Sequence, residues 1–487
     1  MQDRSSGRFV VVALVSICFI PIAVVVNNVV PQPYMDEIFH IPQAQQYCKW
    51  NFTSWDPMIT TPPGLYIISL PFAASLSPWL SQCCTTLILR SVNCFLAVIC
   101  SVVVYEIICH LRPRIDRRKA AISSLTLSLF PLHWFFTFLY YTDVASLTAV
   151  LSMYLAGLNK SYKISALIGT ASIIIRQTNV VWMLFVACIG ILDIVDNKRK
   201  SIKSGDSLNH LDSTAAGSSK VRRRKQAPSE ETGSLLLPFE SEKHADLYQE
   251  LKEVLTRSWN IKQKLVSSFA PFFVVLLLFI TFVYYNGGLV LGAKEAHTVS
   301  PHFAQLMYFA LFSATMMTPV VFSFGHALDT LASLAKNWPF FLILYFFCFL
   351  AVHYFSFSHP YLLADNRHYT FYLWRRVLKP MKYLIAIGYA YSWYSIVSML
   401  REGRRSGVWV AAYFLCTAAV VVPAPLIEFR YFTVPFFFLA LHAPDRSVRS
   451  WVLMGLWFAV VNCFTMVMFL FRPFLWSHEH GIQRFIW

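Results

Sequence analysis

Long apolar runs, separated by short polar stretches, repeat along almost the whole chain. A helix that crosses a bilayer needs roughly 20 mostly apolar residues. Runs of that kind predict spans near 9–30, 85–110, 120–138, 144–158, 164–178, 180–195, 265–285, 303–324, 339–357, 380–400, 407–423, 432–443 and 450–470. The runs are continuous rather than alternating, which points to helices and argues against a β-barrel. The fold class is an all-α polytopic membrane protein, with roughly 12–14 transmembrane helices and short interfacial helices between them. The first run is long for the apolar core of a signal peptide and has no small-residue cleavage site before Pro31; an uncleaved span is the reading that fits.

Charge orients the spans. The net charge is +16, and the basic residues cluster between apolar runs, so topology explains them better than nucleic acid does. Arg4 and Arg8, "RPRIDRRK" at 112–119, "NKRK" at 197–200, "REGRR" at 401–405 and "DRSVR" at 445–449 all fall on one side if the spans alternate. By the positive-inside rule that side is the cytosol. Connections 31–84, 139–143, 286–302, 358–379, 424–431 and the tail after 471 then face the other side. Residues 196–264 are polar and nearly free of aromatics before Phe239, which predicts a disordered cytosolic loop. The chain thus divides into an N-terminal membrane module (1–195), this loop, and a C-terminal membrane module (265–487).

Composition refines the picture. The chain is 56% hydrophobic and 14% charged, and its 14 Trp, 23 Tyr and 42 Phe suit aromatic belts at two interfaces. The 11 Cys are scattered without ligand spacing, and free buried thiols are expected. There is no phosphate-binding P-loop, dinucleotide fingerprint or HExxH. "SHEH", with His478 and His480, reads as a solvated tail, with metal ligation the minor alternative.

The unusual chemistry lies in the connections assigned away from the cytosol. "PYMDEIFHIPQAQQYC" (33–48) puts Asp36 and Glu37 directly after a span, with a short interfacial helix predicted over "EIFHIPQAQQYC". Ionisable groups at such a place are functional candidates. The alternative is a helix N-terminus, which favours acids against its dipole. Neighbours on a helix point about 100° apart, so one acid works and the other supports. "SHPYLLADNRHYTFYLWRRVLK" (358–379) offers Arg367, Arg375, Arg376 and Lys379, and guanidinium suits phosphate; the last three also read as headgroup anchors. "PLIEFRYFTVPFF" holds Glu428 and Arg430, and "IIIRQTN" holds Arg176. Acids beside one span and arginines in other loops of the same face suit a lipid-phosphate-linked sugar.

Six of these motifs carry a resemblance. "YMDEIFHIPQAQ", "WDPMITTPPGLY", "IRQTNVVW", "HPYLLADNRHYTFYLWRR", "EFRYFTVPFF" and "GIQRFIW", in this order from about residue 31 onward, resemble the dolichyl-phosphate-glucose-dependent α-1,2-glucosyltransferases of the endoplasmic reticulum. The resemblance implies the C-type membrane glycosyltransferase fold, a multi-pass protein of the endoplasmic reticulum membrane, and an active site facing the lumen. It implies dolichyl-phosphate-glucose as donor and the diglucosylated nine-mannose oligosaccharide on dolichyl diphosphate as acceptor. The third, terminal glucose of the N-glycosylation precursor is then added with inversion, from a β-linked donor to an α product. An acid in the first luminal loop is the family's expected base, matched by Asp36 with Glu37 in support. Arg367, then Arg375, Arg376 and Arg430, are the expected donor-phosphate contacts. His40, Trp55, Asp56, His368 and Tyr369 are candidate sugar contacts, and no metal or other cofactor is expected. Asn51, in the sequon "NFT", is expected to be crowded by these motifs and left unmodified. The rival readings are another polyprenyl-phosphate-sugar transferase, a lipid-linked sugar transporter, and a non-catalytic membrane regulator.

Overall fold

The computed structural model describes residues 2–76, 84–214, 247–297, 299–321, 328–329, 332–333, 335–477 and 481–487. The pair His478 and His480 lies outside them, as does 215–246. The chain forms two compact units, one of Met1–Ala187 with Ser268–Trp487 and one of Cys188–Ser267.

The N-terminal half is built from α1 (Gln2–Val29), α2 (Glu37–Cys48), α3 (Gly64–Leu76), α4 (Thr86–Leu111), α5 (Arg117–Ser128), α6 (Pro131–Thr137), α7 (Thr142–Leu158), α8 (Tyr162–Ile175) and α9 (Asn179–Thr214). The predicted interfacial helix is α2. The expected span at 120–138 is broken into α5 and α6, because Pro131 has no N–H to continue the ladder and instead opens a new helix at its first position. Helix α4 packs against α1, α5 and α7, and α7 packs against α8.

After α10 (Leu247–Asn260), α11 (Lys262–Asn286) and α12 (Ala304–Met316), apolar helices run over Trp338–Tyr354, Lys382–Glu402, Gly407–Val421, Thr433–Leu441 and Val448–Phe471. Strands β1 (Phe474–Leu475) and β2 (Ile482–Gln483) close a small antiparallel hairpin in the tail. Among the described residues, six helices are long and apolar enough to cross a membrane alone; the remaining apolar helices are shorter. A chain with several such helices is a multi-pass membrane protein.

The stretch 196–264 departs from its expected disorder in part, since α9 continues to Thr214 and α10 occupies Leu247–Asn260. The average polarity of the loop conceals the helical period of Leu247, Leu251 and Leu255 within α10, where Arg257 pairs with Glu253 one turn earlier.

The alternation drawn from charge agrees with the packing. Connections assigned to the cytosolic side meet one another: Arg112 donates to the carbonyl of Ala443 at 2.6 Å, Lys119 pairs with Asp445 at 2.6 Å and Arg446 with Glu402 at 2.6 Å. Connections assigned to the opposite side converge on one cavity at the other end.

Candidate active site

That cavity has a volume of about 930 Å³. Its wall is assembled from residues 35–36, 39–40, 58–61, 141–142, 176–178, 180–181, 287–290, 294, 299, 361–362, 364–365, 367–368, 370, 419–420, 423–428, 430–431 and Trp476. Segments distant in sequence meet here because the helices between them cross the bundle and return.

The two adjacent acids have opposite fates. Glu37 is fully buried and accepts four hydrogen bonds: from Arg90 Nε at 2.8 Å and Nη2 at 2.6 Å, and from the backbone N–H groups of Tyr34 at 3.1 Å and Tyr140 at 2.6 Å. Arg90 is itself 1% exposed and donates to the carbonyls of Val30 at 2.6 Å and Gln32 at 3.1 Å. Glu37 therefore fastens α1, α2, α4 and the turn before α7 together, and it does not line the cavity. Asp36 does. It stands at the N-cap of α2, where the helix dipole favours an acid, yet its side chain makes no capping bond. Oδ2 instead accepts from Arg430 Nη1 at 2.9 Å, and 41% of the side chain remains accessible within the cavity. Met35 just before them has φ 55°, and successive helical positions point about 100° apart, so the two carboxylates part.

Behind Asp36, its backbone N–H donates to the Tyr141 hydroxyl at 3.1 Å. Arg430 also donates to Glu428 at 2.8 Å, lies 3.9 Å from Asp143, and stands 5.5 Å from the ring centres of Phe136 and Tyr141. The recess disfavours a charged Asp36 carboxyl, but Arg430, His40 and His368 outweigh that and hold it below the usual carboxylate range. His40 falls one helical turn after Asp36 and shares its face. Its Nδ1 contacts the Tyr66 hydroxyl at 2.6 Å, and burial pushes the imidazole down, toward the neutral form.

On the facing wall, Arg367 grips Asp365 with Nε and Nη2 at 2.9 and 2.8 Å, donates to Gln483 at 2.9 Å, and lies 4.5 Å over the Trp476 ring. His368 meets the carbonyl of Trp487 at 3.0 Å. The tail is woven into this wall. Ile486 N–H donates to the Arg367 carbonyl at 2.9 Å, and Tyr34 Oη donates to the Arg484 carbonyl at 2.6 Å while accepting from its N–H at 2.7 Å.

The remaining expected residues are placed differently. Arg375 and Arg376 are exposed and stay out of the lining, because the π-helical turn Trp374–Leu378 buries Trp374 and Leu378 instead. Trp55 packs on the Tyr66 ring at 6.2 Å. Asp56 closes a turn by accepting from Met58 N–H at 2.9 Å. Tyr369 stacks with Phe485 and Trp487 of the tail. Asn51 is exposed and outside the lining, so the cavity does not crowd it. Cys48 and Cys84 form a disulfide, which corrects the expectation of free thiols for this pair, while Cys100 and Cys348 are buried thiols as expected. Arg90 escaped the sequence reading, although an arginine within the apolar run 85–110 was its visible sign. Tyr141, Asp143, Lys294 and Trp476 had none. Among the described residues no group of three His, Cys, Asp or Glu is placed to hold a metal ion.

Known proteins resemble this chain over nearly its whole length. The chain is 50% identical to the Dol-P-Glc:Glc(2)Man(9)GlcNAc(2)-PP-Dol alpha-1,2-glucosyltransferase of Arabidopsis thaliana, with 99% of this chain and 100% of the relative covered. It is 35% identical to a protein of the same name from Homo sapiens (94% and 93% covered) and 31% identical to one from Yarrowia lipolytica (95% and 94% covered). No solved structure matches. The DIE2/ALG10 family matches residues 30–441, a span that carries both acids, Arg90, Arg176 and Arg430, and the chain belongs to that family.

Proposed function

We propose that this chain is an inverting glucosyltransferase that transfers glucose from dolichyl-phosphate-glucose to the diglucosylated nine-mannose oligosaccharide on dolichyl diphosphate, forming the terminal α-1,2 bond. The observation that carries the mechanism is the division of labour between the adjacent acids, since Asp36 alone opens into the cavity while Glu37 is bonded on all sides. The 2-hydroxyl oxygen of the acceptor's terminal glucose attacks C1 of the donor glucose. The bond from C1 to the phosphate oxygen breaks, and its electron pair leaves with dolichyl phosphate. The hydroxyl proton passes to Asp36. The low basicity imposed by Arg430 suits this reaction, because the attacking hydroxyl becomes strongly acidic as the new bond forms around an oxocarbenium-like centre.

Arg367 and Arg430 orient the phosphate, and His40 and His368 contact sugar hydroxyls from the two walls. The reaction needs no metal in this reading, since a phosphodiester carries one charge and fixed cations match it. The site faces the lumen of the endoplasmic reticulum. The Cys48–Cys84 disulfide in the Asp36 connection supports that side, because such bonds persist in oxidising compartments.

The test uses purified protein in nanodiscs with dolichyl-phosphate-glucose, the diglucosylated acceptor and a chelator. Wild type is expected to transfer one glucose. Asp36→Asn is expected to lose about 10²- to 10⁴-fold in kcat with an unchanged unfolding temperature. Wild-type transfer only to a different acceptor, or an active Asp36→Asn, would overturn the substrate or the base respectively.

A further inference from the structure

Every guanidinium lining the cavity is already bonded to a carboxylate: Arg430 to Asp36 and Glu428, Arg367 to Asp365, Arg176 to Asp143 at 3.0 Å. An incoming phosphate meets cations whose charge is largely met. Lys294 is different. It lines the same cavity, and its ammonium bonds neutral oxygens of Asn286, the backbone carbonyl and, at 3.3 Å, the side-chain carbonyl. Among the described lining residues it is the fixed cation that no carboxylate holds.

The loop that carries it is built against the Asp36 connection. Leu291 N–H donates to the Thr60 carbonyl at 3.1 Å and Ala293 N–H to the Pro57 carbonyl at 3.0 Å. A Cβ on Gly292 would lie 2.1 Å from the Pro57 oxygen, so glycine alone allows this approach. Gly287, at φ 69°, turns the chain out of α11 toward the cavity. Lys294 follows directly, on an exposed four-carbon stem able to track a moving charge.

We propose that Lys294 is a further phosphate-binding cation of this cavity, the one whose charge no carboxylate offsets, and that beside Arg367 and Arg430 it holds a lipid-linked phosphate through the group transfer proposed above. Two sources share that chemistry: the donor's phosphodiester, which leaves as dolichyl phosphate with added negative charge, and the acceptor's diphosphate. A point-charge ammonium suits either. The inference rests on the glycosyltransferase reading, and a binding readout separates the two.

The experiment measures dolichyl phosphate binding to the full chain in nanodiscs, alongside KM for donor and for acceptor, in wild type, Lys294→Gln and Lys294→Arg. Loss of one charged hydrogen-bonding group is expected to weaken phosphate binding or raise one KM by about 10- to 100-fold. Lys294→Arg is expected to recover most of this. An effect on dolichyl phosphate binding and donor KM assigns the donor phosphate, and one on acceptor KM alone assigns the diphosphate. If Lys294→Gln folds normally and leaves binding and both KM values unchanged, the proposal is overturned. A wild type that binds dolichyl phosphate through Lys294 yet transfers no glucose would sink the glucosyltransferase reading and leave this site standing.

Discussion

Two loops that line the cavity side by side are held by different means. The Asp36 connection is fastened by a disulfide, by the buried Glu37–Arg90 pair, and by α3 pressing on α8, where a Cβ on Gly64 would lie 2.6 Å from the Ile174 carbonyl oxygen. The Lys294 loop is joined to that connection by two backbone hydrogen bonds, from Leu291 and Ala293, and by the Gly292 contact. The acid stands on a connection cross-linked at several points, and the cation stands on a loop that leans on that connection. A displacement in which the nucleophile needs fixed aim while the leaving group gains charge and moves away suits that asymmetry.

The contrast breaks most sharply at Glu37. Glu37→Gln or Arg90→Met leaves its partner buried and uncompensated, which is expected to destabilise the protein by about 3–5 kcal/mol, read as a lower unfolding temperature. Replacing the pair together with apolar residues is expected to cost less than either single change. A paired variant whose loss equals the sum of the two single losses would show that the pair is not a unit. Next comes the disulfide. Cys48→Ser is expected to cost about 2–4 kcal/mol and to abolish the effect of a reductant on unfolding; a wild type indifferent to reductant would mean the bond does not form. On the looser side, Gly292→Ala is expected to shift the Lys294 loop and raise a substrate KM several-fold. Gly288→Ala, whose Cβ meets nothing within 4 Å, is its neutral control, and matching kinetics for the two would contradict the close approach.

The smallest effect concerns pH. The recess around Asp36 disfavours its charge, but Arg430 with His40 and His368 outweighs that and depresses the carboxyl, so the proposed base stays ionised to below the usual aspartate range. Activity is expected to stay flat through neutral pH and to fall only as pH drops through that depressed value. Arg430→Gln is expected to move this acid limb upward, even with a lower kcat. A limb already present near neutrality in the wild type would place another group in control.

Helix positions were largely legible in the sequence, because apolar runs of bilayer length and basic runs between them are local properties. The convergence of six connections on one cavity was legible only as sidedness. Asp36, His40, Arg367, His368 and Arg430 were readable as polar groups beside apolar spans. The separate fates of Asp36 and Glu37 were not, since they depend on Arg90 and Tyr140, which are far away in the chain. Arg375 and Arg376 misled because a cation-rich stretch looks the same whether it faces a cavity or a headgroup. Nor did scattered cysteines announce that Cys48 and Cys84 come together.

The tail has a further consequence. Gly481–Trp487 stacks behind Arg367 and His368 and meets Tyr34 on the opposite wall. Ile486 is hydrogen-bonded to Arg367 and Tyr369, and Arg484 to Tyr34 just before Asp36. The segment is therefore a strap that keeps two sequence-distant parts of the cavity lining in register.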